Sequence, residues 1–317
     1  MPRVLITGAT GMIGRALCGR LQQDGYILRA ALRTEKPLPQ GVLEAALVGD
    51  IAHCPDWDAA LARVDFVIHA AARTHVFESA PDEERIRKVN VEGSARLATA
   101  AVRAGVRRFI YLSSIKVNGE DSGAGTFTAD APPHPQDAYG RSKLEAEQAV
   151  RRAVAGSGTE LAIVRPPLVY GPHVQANFLR LMRWVDRGMP LPLGAIHNRR
   201  SLLSVWNLAD LIACLLSHPA AAGRVWLAAD AEDLSTPDLI RRIAASLGRR
   251  PRLLPVPPAL LRLGAALTGQ TGQLARLCGS LTVDTSPART LLGWTPPLAV
   301  DQGLARTAAW YRILEPA

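Results

Sequence analysis

Tyr139 and Lys143 stand four residues apart in Ala138-Tyr-Gly-Arg-Ser-Lys-Leu-Glu-Ala-Glu147. On a helix that spacing puts both side chains on one face, a phenol beside an ammonium. The positive charge favours phenolate. It is expected to draw the tyrosine pKa down from about 10 towards the working pH, as suits a group that gives or takes a proton at a carbonyl. Hydride chemistry on sugars and alcohols requires such an acid. With five tyrosines and four lysines in 317 residues, chance would supply the spacing only about 0.06 times. The other basic residues are almost all arginine, which could not exchange its proton in the same way.

An independent pattern opens the chain. Val4-Leu-Ile-Thr7 is a short apolar run. It leads into Gly8-Ala-Thr-Gly11-Met-Ile-Gly14 and then a helical period with Ile13, Leu17 and Leu21 inward, ending at Gly25. In a strand, glycine turn and helix, the backbone can approach a pyrophosphate, whose charge sits well on helix N-terminal amides. The glycine spacing alone is a weak motif; its position between strand and helix makes it a nucleotide site.

These residues need a frame, and the chain supplies one by alternation. Strands are expected over 26–32, 65–69, 108–113 and 161–165, and helices over 56–63, 82–104 and 139–155. That order predicts an α/β fold, a Rossmann-like doubly wound parallel sheet with a smaller C-terminal substrate-binding lobe. The dinucleotide domain is expected over 1–168 plus about 202–218, and the lobe over about 169–201 and 219–317. Proline-rich pieces at 37–39, 131–135 and 255–258 read as loops. No repeat or low-complexity tract interrupts the pattern.

Composition narrows the class. A chain of 317 residues that is 48% hydrophobic can bury a substantial core. The apolar stretch Pro258–Leu267 is short and interrupted by Arg262, and too few apolar residues precede Gly8 for a signal peptide, so no membrane partner and a cytoplasmic location are expected. Cys18, Cys54, Cys214 and Cys278 are scattered without Cys-x-x-Cys spacing, which suits reduced thiols and no metal site. The net charge of +9 comes from dispersed arginines, often paired as in Arg107-Arg108 and Arg151-Arg152, without a long basic run or adjoining aromatics. That argues against a nucleic-acid partner and for a field that attracts an anionic diphosphate.

Together, Thr7-Gly-Ala-Thr-Gly-Met-Ile-Gly14, His69-Ala-Ala-Ala72, Ser113-Ser114, Tyr139-x-x-x-Lys143, Arg165-Pro-Pro-Leu-Val-Tyr-Gly-Pro172 and the late Ser286-Pro-Ala-Arg-Thr-Leu-Leu-Gly-Trp-Thr-Pro296 resemble the extended short-chain dehydrogenase/reductases. Within them the chain looks like the nucleotide-sugar epimerase, dehydratase and reductase group, from residue 1 to about 312. The resemblance implies that Ser114 holds the substrate oxygen, Tyr139 is the acid/base, and Lys143 holds the nicotinamide ribose. It places Gly8, Thr10, Gly11, Met12, Ile13 and Pro166 at the cofactor, Asp50 and Ile51 along the adenine, and Ala70, Ala71 and Ala72 in the groove. Asn90 resembles the asparagine beside the active site. Lys116, Asn177 and Arg200 are the implied substrate contacts, Arg200 as a phosphate clamp, with Arg73, His75 and His197 as weaker candidates for the sugar pocket. Helices 82–104 and 139–155 imply a homodimer, and 119–135 a flap over the sugar.

Cofactor choice rests on the end of the second strand. No acid precedes Glu35 there, and Arg33 suits a 2′-phosphate, so among NAD(P)(H) forms NADP(H) is expected over NAD(H). Dehydratases of the group carry Asp-Glu after the catalytic Ser/Thr, where this chain has Ile115-Lys116, which argues against elimination. Reduction of a UDP-4-keto-6-deoxy-N-acetylhexosamine for surface polysaccharide is the first expectation. The alternative is a UDP-sugar 4-epimerase working through a transient ketone. A non-catalytic dinucleotide sensor is opposed by the joint presence of Ser114, Tyr139 and Lys143.

Overall fold

The computed structural model describes residues 1–53, 56–74, 82–269 and 271–315, except the side chain of Gln273. His75 and Cys54 lie outside the described residues. Seven strands form one sheet: β1 (Arg3–Thr7), β2 (Ile27–Leu32), β3 (Glu44–Leu47), β4 (Phe66–His69), β5 (Arg108–Leu112), β6 (Glu160–Arg165) and, after the short β7 (Leu168–Tyr170) and β8 (Leu202–Ser204), β9 (Val225–Leu227). Their order is β3-β2-β1-β4-β5-β6-β9, every pairing parallel. The central strands are apolar at nearly every position because helices cover both faces.

The helices are α1 (Met12–Gln23), α2 (Asp58–Leu61), α3 (Glu83–Arg87), α4 (Ser94–Arg103), α5 (Ala138–Val154), α6 (Ala176–Asp186), α7 (Val205–Ser217), α8 (Thr236–Ser246), α9 (Pro258–Leu267), α10 (Thr271–Cys278), α11 (Ser286–Leu292) and α12 (Val300–Leu314). On one face of the sheet Leu17 and Leu21 of α1 pack with Leu208 and Ile212 of α7 and with Ala288 and Leu292 of α11. Leu97 and Ala101 of α4 and Ala146 and Val150 of α5 cover the other. A separate core, built from Phe178 and Met182 of α6, Ile240 and Ile243 of α8 and Leu304 and Tyr311 of α12, forms the smaller lobe around Tyr170 of β7.

Three sequence expectations need adjustment. Residues 225–227, allotted to the smaller lobe, are the seventh strand of the main sheet, and α11 packs with that sheet's core. Three residues are too few for a periodicity signal; their partner β6 assigns them. The helix expected over 82–104 is α3 and α4 joined by a π-helical turn, Lys88–Gly93, a distortion that often marks a functional position. There a Cβ on Gly93 would come within 3.0 Å of the Ile51 carbonyl oxygen, so glycine lets the turn approach the 50–51 loop. The helix expected over 56–63 contracts to α2.

Candidate active site

The serine turn is set by strand pairing. Just past β5, the Ser113 N–H donates to the Val164 carbonyl and the Ile115 N–H to that of Pro166. Ser114 then caps a single 3₁₀ turn, its Oγ accepting from the Lys116 N–H at 3.3 Å. Behind it Ser113 Oγ donates to Glu147 at 2.5 Å, and Glu147 takes two bonds from the Arg165 guanidinium, which also reaches Asn118 at 3.0 Å. Glu147 and Arg165 are both buried, so the charges are tolerable only because they are paired and hydrogen-bonded. This pair ties β5, β6 and α5 into one rigid support.

Helix α5 begins where it does because Asp137 accepts the Gly140 N–H at 2.7 Å as an N-cap. At Gly140 a Cβ would stand 2.9 Å from the Lys116 carbonyl oxygen. Glycine between the two catalytic candidates therefore lets α5 press against the turn that carries Ser114. Tyr139 is half-buried and lines the same cavity as Ser114. Lys143 is 2% exposed, its Nζ 4.3 Å from the centre of the Tyr111 ring, a cation–π contact.

The electrostatics correct one expectation. Burial pushes the Tyr139 phenol up to about 12, helped by the charge of Asp137, rather than the lysine pulling it down. Burial likewise brings Lys143 down to about 7, partly opposed by Glu147. Desolvation penalises the charged form of each.

A chain of buried groups was missed in the sequence. The Ala71 N–H donates to Thr7 Oγ1 at 3.1 Å, Thr7 Oγ1 lies 2.7 Å from His69 Nδ1, His69 Nε2 lies 2.8 Å from Ser94 Oγ, and Ser94 donates to the Asn90 carbonyl at 2.6 Å. The two ends fix the direction and leave His69 neutral with its proton on Nε2. Burial, with the charge of Lys143, drives that imidazole down to about 3. Asn90 holds both backbone groups of Arg73, at 2.8 and 3.0 Å, and Ser142 at 2.9 Å, so it fixes the segment after β4 and touches α5. A histidine in an apolar strand was the available signal, but only folding shows its partners.

The glycine turn fits a dinucleotide phosphate. Gly8 has φ +72°, and a Cβ there would stand 2.9 Å from the Ala71 amide nitrogen; one on Gly14 would come 2.1 Å from the Gly8 carbonyl oxygen. Side chains are thus excluded where the backbone must stay bare. Gly11 caps α1 without a side-chain bond and no acid occupies the first turn, which leaves the amides of Met12 and Ile13 and the positive end of the helix for an anion. Thr10 completes this turn, its carbonyl accepting from Arg15 at 3.0 Å. Ala70, Ala71 and Ala72 line up after β4, half-exposed. Asp50 accepts the Ala52 N–H at 3.0 Å, shaping the loop with Ile51. Arg33 follows β2 directly and is exposed. Pro166 is buried and supports the serine turn through its carbonyl.

A cavity of about 840 Å³ is lined by Ser114, Lys116, Tyr139, Asn177 and Arg200, the residues expected to meet a substrate. Lys116 is bound there by Glu120 at 2.8 Å and by Asp137, and Arg276 reaches Glu120 at 3.0 Å. None of these three charged partners was singled out in the sequence. Arg200 donates to the Gly279 carbonyl at 2.9 Å, and Asn177 accepts from Arg180 at 2.7 Å. His197 is exposed outside the cavity lining, and Arg73 is tied to Asn90 instead.

Known proteins agree with this geometry. The model of the NAD dependent epimerase/dehydratase family matches residues 4–229. The UDP-glucose 4-epimerase of Vibrio cholerae is 41% identical over 97% of this chain and 95% of its own length. The N-acetyl-alpha-D-glucosaminyl-diphospho-ditrans,octacis-undecaprenol 4-epimerase of Escherichia coli O157:H7 is 27% identical over 96% of this chain and 93% of its own. Among solved structures, MoeE5 in complex with UDP-glucuronic acid and NAD superposes with a TM-score of 0.79 at 27% identity, covering 98% of this chain and 99% of that one. Since the match runs from β1 through β9 and takes in the glycine turn, the serine turn and the Tyr139 helix alike, this chain belongs to the NAD dependent epimerase/dehydratase family, the extended short-chain dehydrogenase/reductases that its motifs resemble.

Proposed function

We propose that this protein interconverts the C4 epimers of a UDP-sugar, UDP-glucose or UDP-N-acetylglucosamine, through a transient 4-ketone. The observation that carries the reading is the convergence of Ser114 and Tyr139 on one cavity that also holds Arg200 and Asn177. A nicotinamide dinucleotide, when bound along the β1–α1 turn, would supply a hydride acceptor and donor for C4. Ser114 Oγ holds O4, and Tyr139 takes the O4 proton as the ketone forms and gives it back as the alcohol returns. Left to burial, the phenol stays protonated near neutral pH, so it is ready as the donor. Taking a proton instead requires the ammonium of Lys143 nearby to support the phenolate. Inversion needs the ketone to turn over between the two transfers, and a cavity of about 840 Å³ leaves room for that.

The 41% identity to a protein named UDP-glucose 4-epimerase favours epimerisation over the 4-keto reduction first expected. NAD is the cofactor we infer, supported by the NAD-bound MoeE5 structures; an epimerase regains its hydride each cycle and gains nothing from the reduced NADPH pool. Incubation of UDP-glucose and UDP-N-acetylglucosamine without added reductant tests the reading. The C4 epimer should accumulate to equilibrium. Turnover confined to a UDP-4-keto sugar and dependent on added NAD(P)H would overturn it in favour of a reductase.

A further inference from the structure

Helix α9 has two apolar faces. Leu261, Gly264 and Ala265 face the cavity, whereas Leu263 and Leu267, with Leu260 at the rim, stand 60%, 81% and 59% exposed. Positions 260, 263 and 267 share one side of a helix. A helix apolar on both sides, broken only by Arg262, is expected in a core or at a lipid boundary rather than in water. Exposed Leu254 and Met189 lie on the paired segments leading into it, joined by the Leu191 N–H to the Arg252 carbonyl and the Leu254 N–H to that of Leu191.

Charge points the same way. No acidic residue occurs between Asp238 and Asp284, a stretch that holds seven arginines. Of these, Arg250, Arg252 and Arg262 are exposed and make no ion pair among the described residues.

The cavity lining supplied by α8, α9 and α10 suits an apolar chain. Its hydroxyls are already used: Thr236 donates to the Leu277 carbonyl at 2.6 Å and Thr268 to that of Gly264 at 2.9 Å. Arg276 is held by Glu120. What remains among the described side chains is Leu239, Leu260, Leu261, Ala265, Leu274 and Leu277.

We propose that this site accepts a sugar linked through a diphosphate to a long apolar alcohol, the chain lying along α9 while Leu263 and Leu267 rest on an anionic bilayer. The inference rests on the C4 chemistry proposed above and names its substrate class. Arg200, in the cavity between the serine turn and these helices, would meet the diphosphate. No helix among the described residues is long and apolar enough to cross a membrane, and the contact proposed is a surface one. It goes beyond the sequence expectation of no membrane partner.

The test uses the full chain with two substrates, UDP-N-acetylglucosamine in buffer and polyprenyl-diphospho-N-acetylglucosamine in phosphatidylglycerol vesicles. The lipid-linked sugar should be epimerised at C4 and the protein should sediment with the vesicles. In the double variant Leu263→Glu/Leu267→Glu, vesicle retention and the ratio of lipid-linked to UDP-sugar turnover should each fall at least tenfold, with the circular-dichroism spectrum unchanged. Epimerisation of UDP-sugars without turnover of the lipid-linked one would overturn this proposal and leave the proposed function standing. Loss of both activities in the wild-type chain would overturn both. A double variant that merely dissociates a dimer, with vesicle retention intact, would show that a second copy covers the face, and the proposal would fall.

Discussion

Tyr139 is a half-buried phenol kept protonated by its surroundings, and the proposed chemistry depends on its single oxygen. Tyr139→Phe should lower kcat by a factor on the order of 10² or more while cofactor affinity stays close to wild type, a split read by steady-state kinetics beside dinucleotide titration. His69 is the other residue whose state is set by burial. Its folded pKa of about 3 lies below the ordinary 6.5, so between these values the unfolded chain binds the extra proton and stability is lost as pH falls through that window. Denaturant midpoints measured from pH 7 to 3 should drop accordingly, and His69→Gln should flatten that slope. An unchanged slope would mean that His69 is not held neutral.

At the scale of elements, two close approaches place the chemistry. Helix α5 and the serine turn meet through Gly140, where an added methyl would stand 2.9 Å from the Lys116 carbonyl oxygen. Alanine is otherwise the better helix former by about 1 kcal/mol. Gly140→Ala should nevertheless lower the unfolding free energy, the displaced backbone costing about 1–3 kcal/mol as overpacking does, and cut kcat roughly tenfold or more, since small misplacements of reacting groups are costly. If kcat holds, the Ser114–Tyr139 geometry tolerates displacement of the turn. The second approach is the π-helical turn, which carries Asn90 inward to hold the backbone at Arg73 while Gly93 admits Ile51. It joins the 50–51 loop to α5 through one bend.

The whole molecule is a seven-stranded sheet whose edge strand comes from the late part of the chain. Trp226 of β9 is 1% exposed and donates to the Ala221 carbonyl at 3.0 Å. Trp226→Ala should cost about 3–5 kcal/mol, as for other large core truncations, in chemical denaturation. A loss below about 1 kcal/mol would show that β9 is an ornament on the sheet. The chain crosses between the two cores repeatedly: Tyr170 of β7, in the lobe core, donates to Asp230 at 2.7 Å, just beyond β9. That interweaving makes one cavity out of residues far apart in sequence.

Local spacing determined the glycine turn, the Tyr139–Lys143 pair and the alternation of strands and helices, because each is written within one or two turns of chain and in the periodicity of burial. The family resemblance carried by the order of the motifs made Ser114 a candidate as well. The direction of the pKa shifts was not legible. Four-residue spacing predicts a cation beside a phenol, but only packing decides how much water each loses. The Thr7–His69–Ser94–Asn90 chain joins residues up to 87 positions apart, and the Ser113–Glu147–Arg165 support links three elements. Such contacts arise when parallel strands bring their ends together, so tertiary structure alone could choose them. The same holds for β9, a strand only because β6 offers it an edge, and for α9, whose second apolar face becomes apparent only once the first is seen lining a cavity.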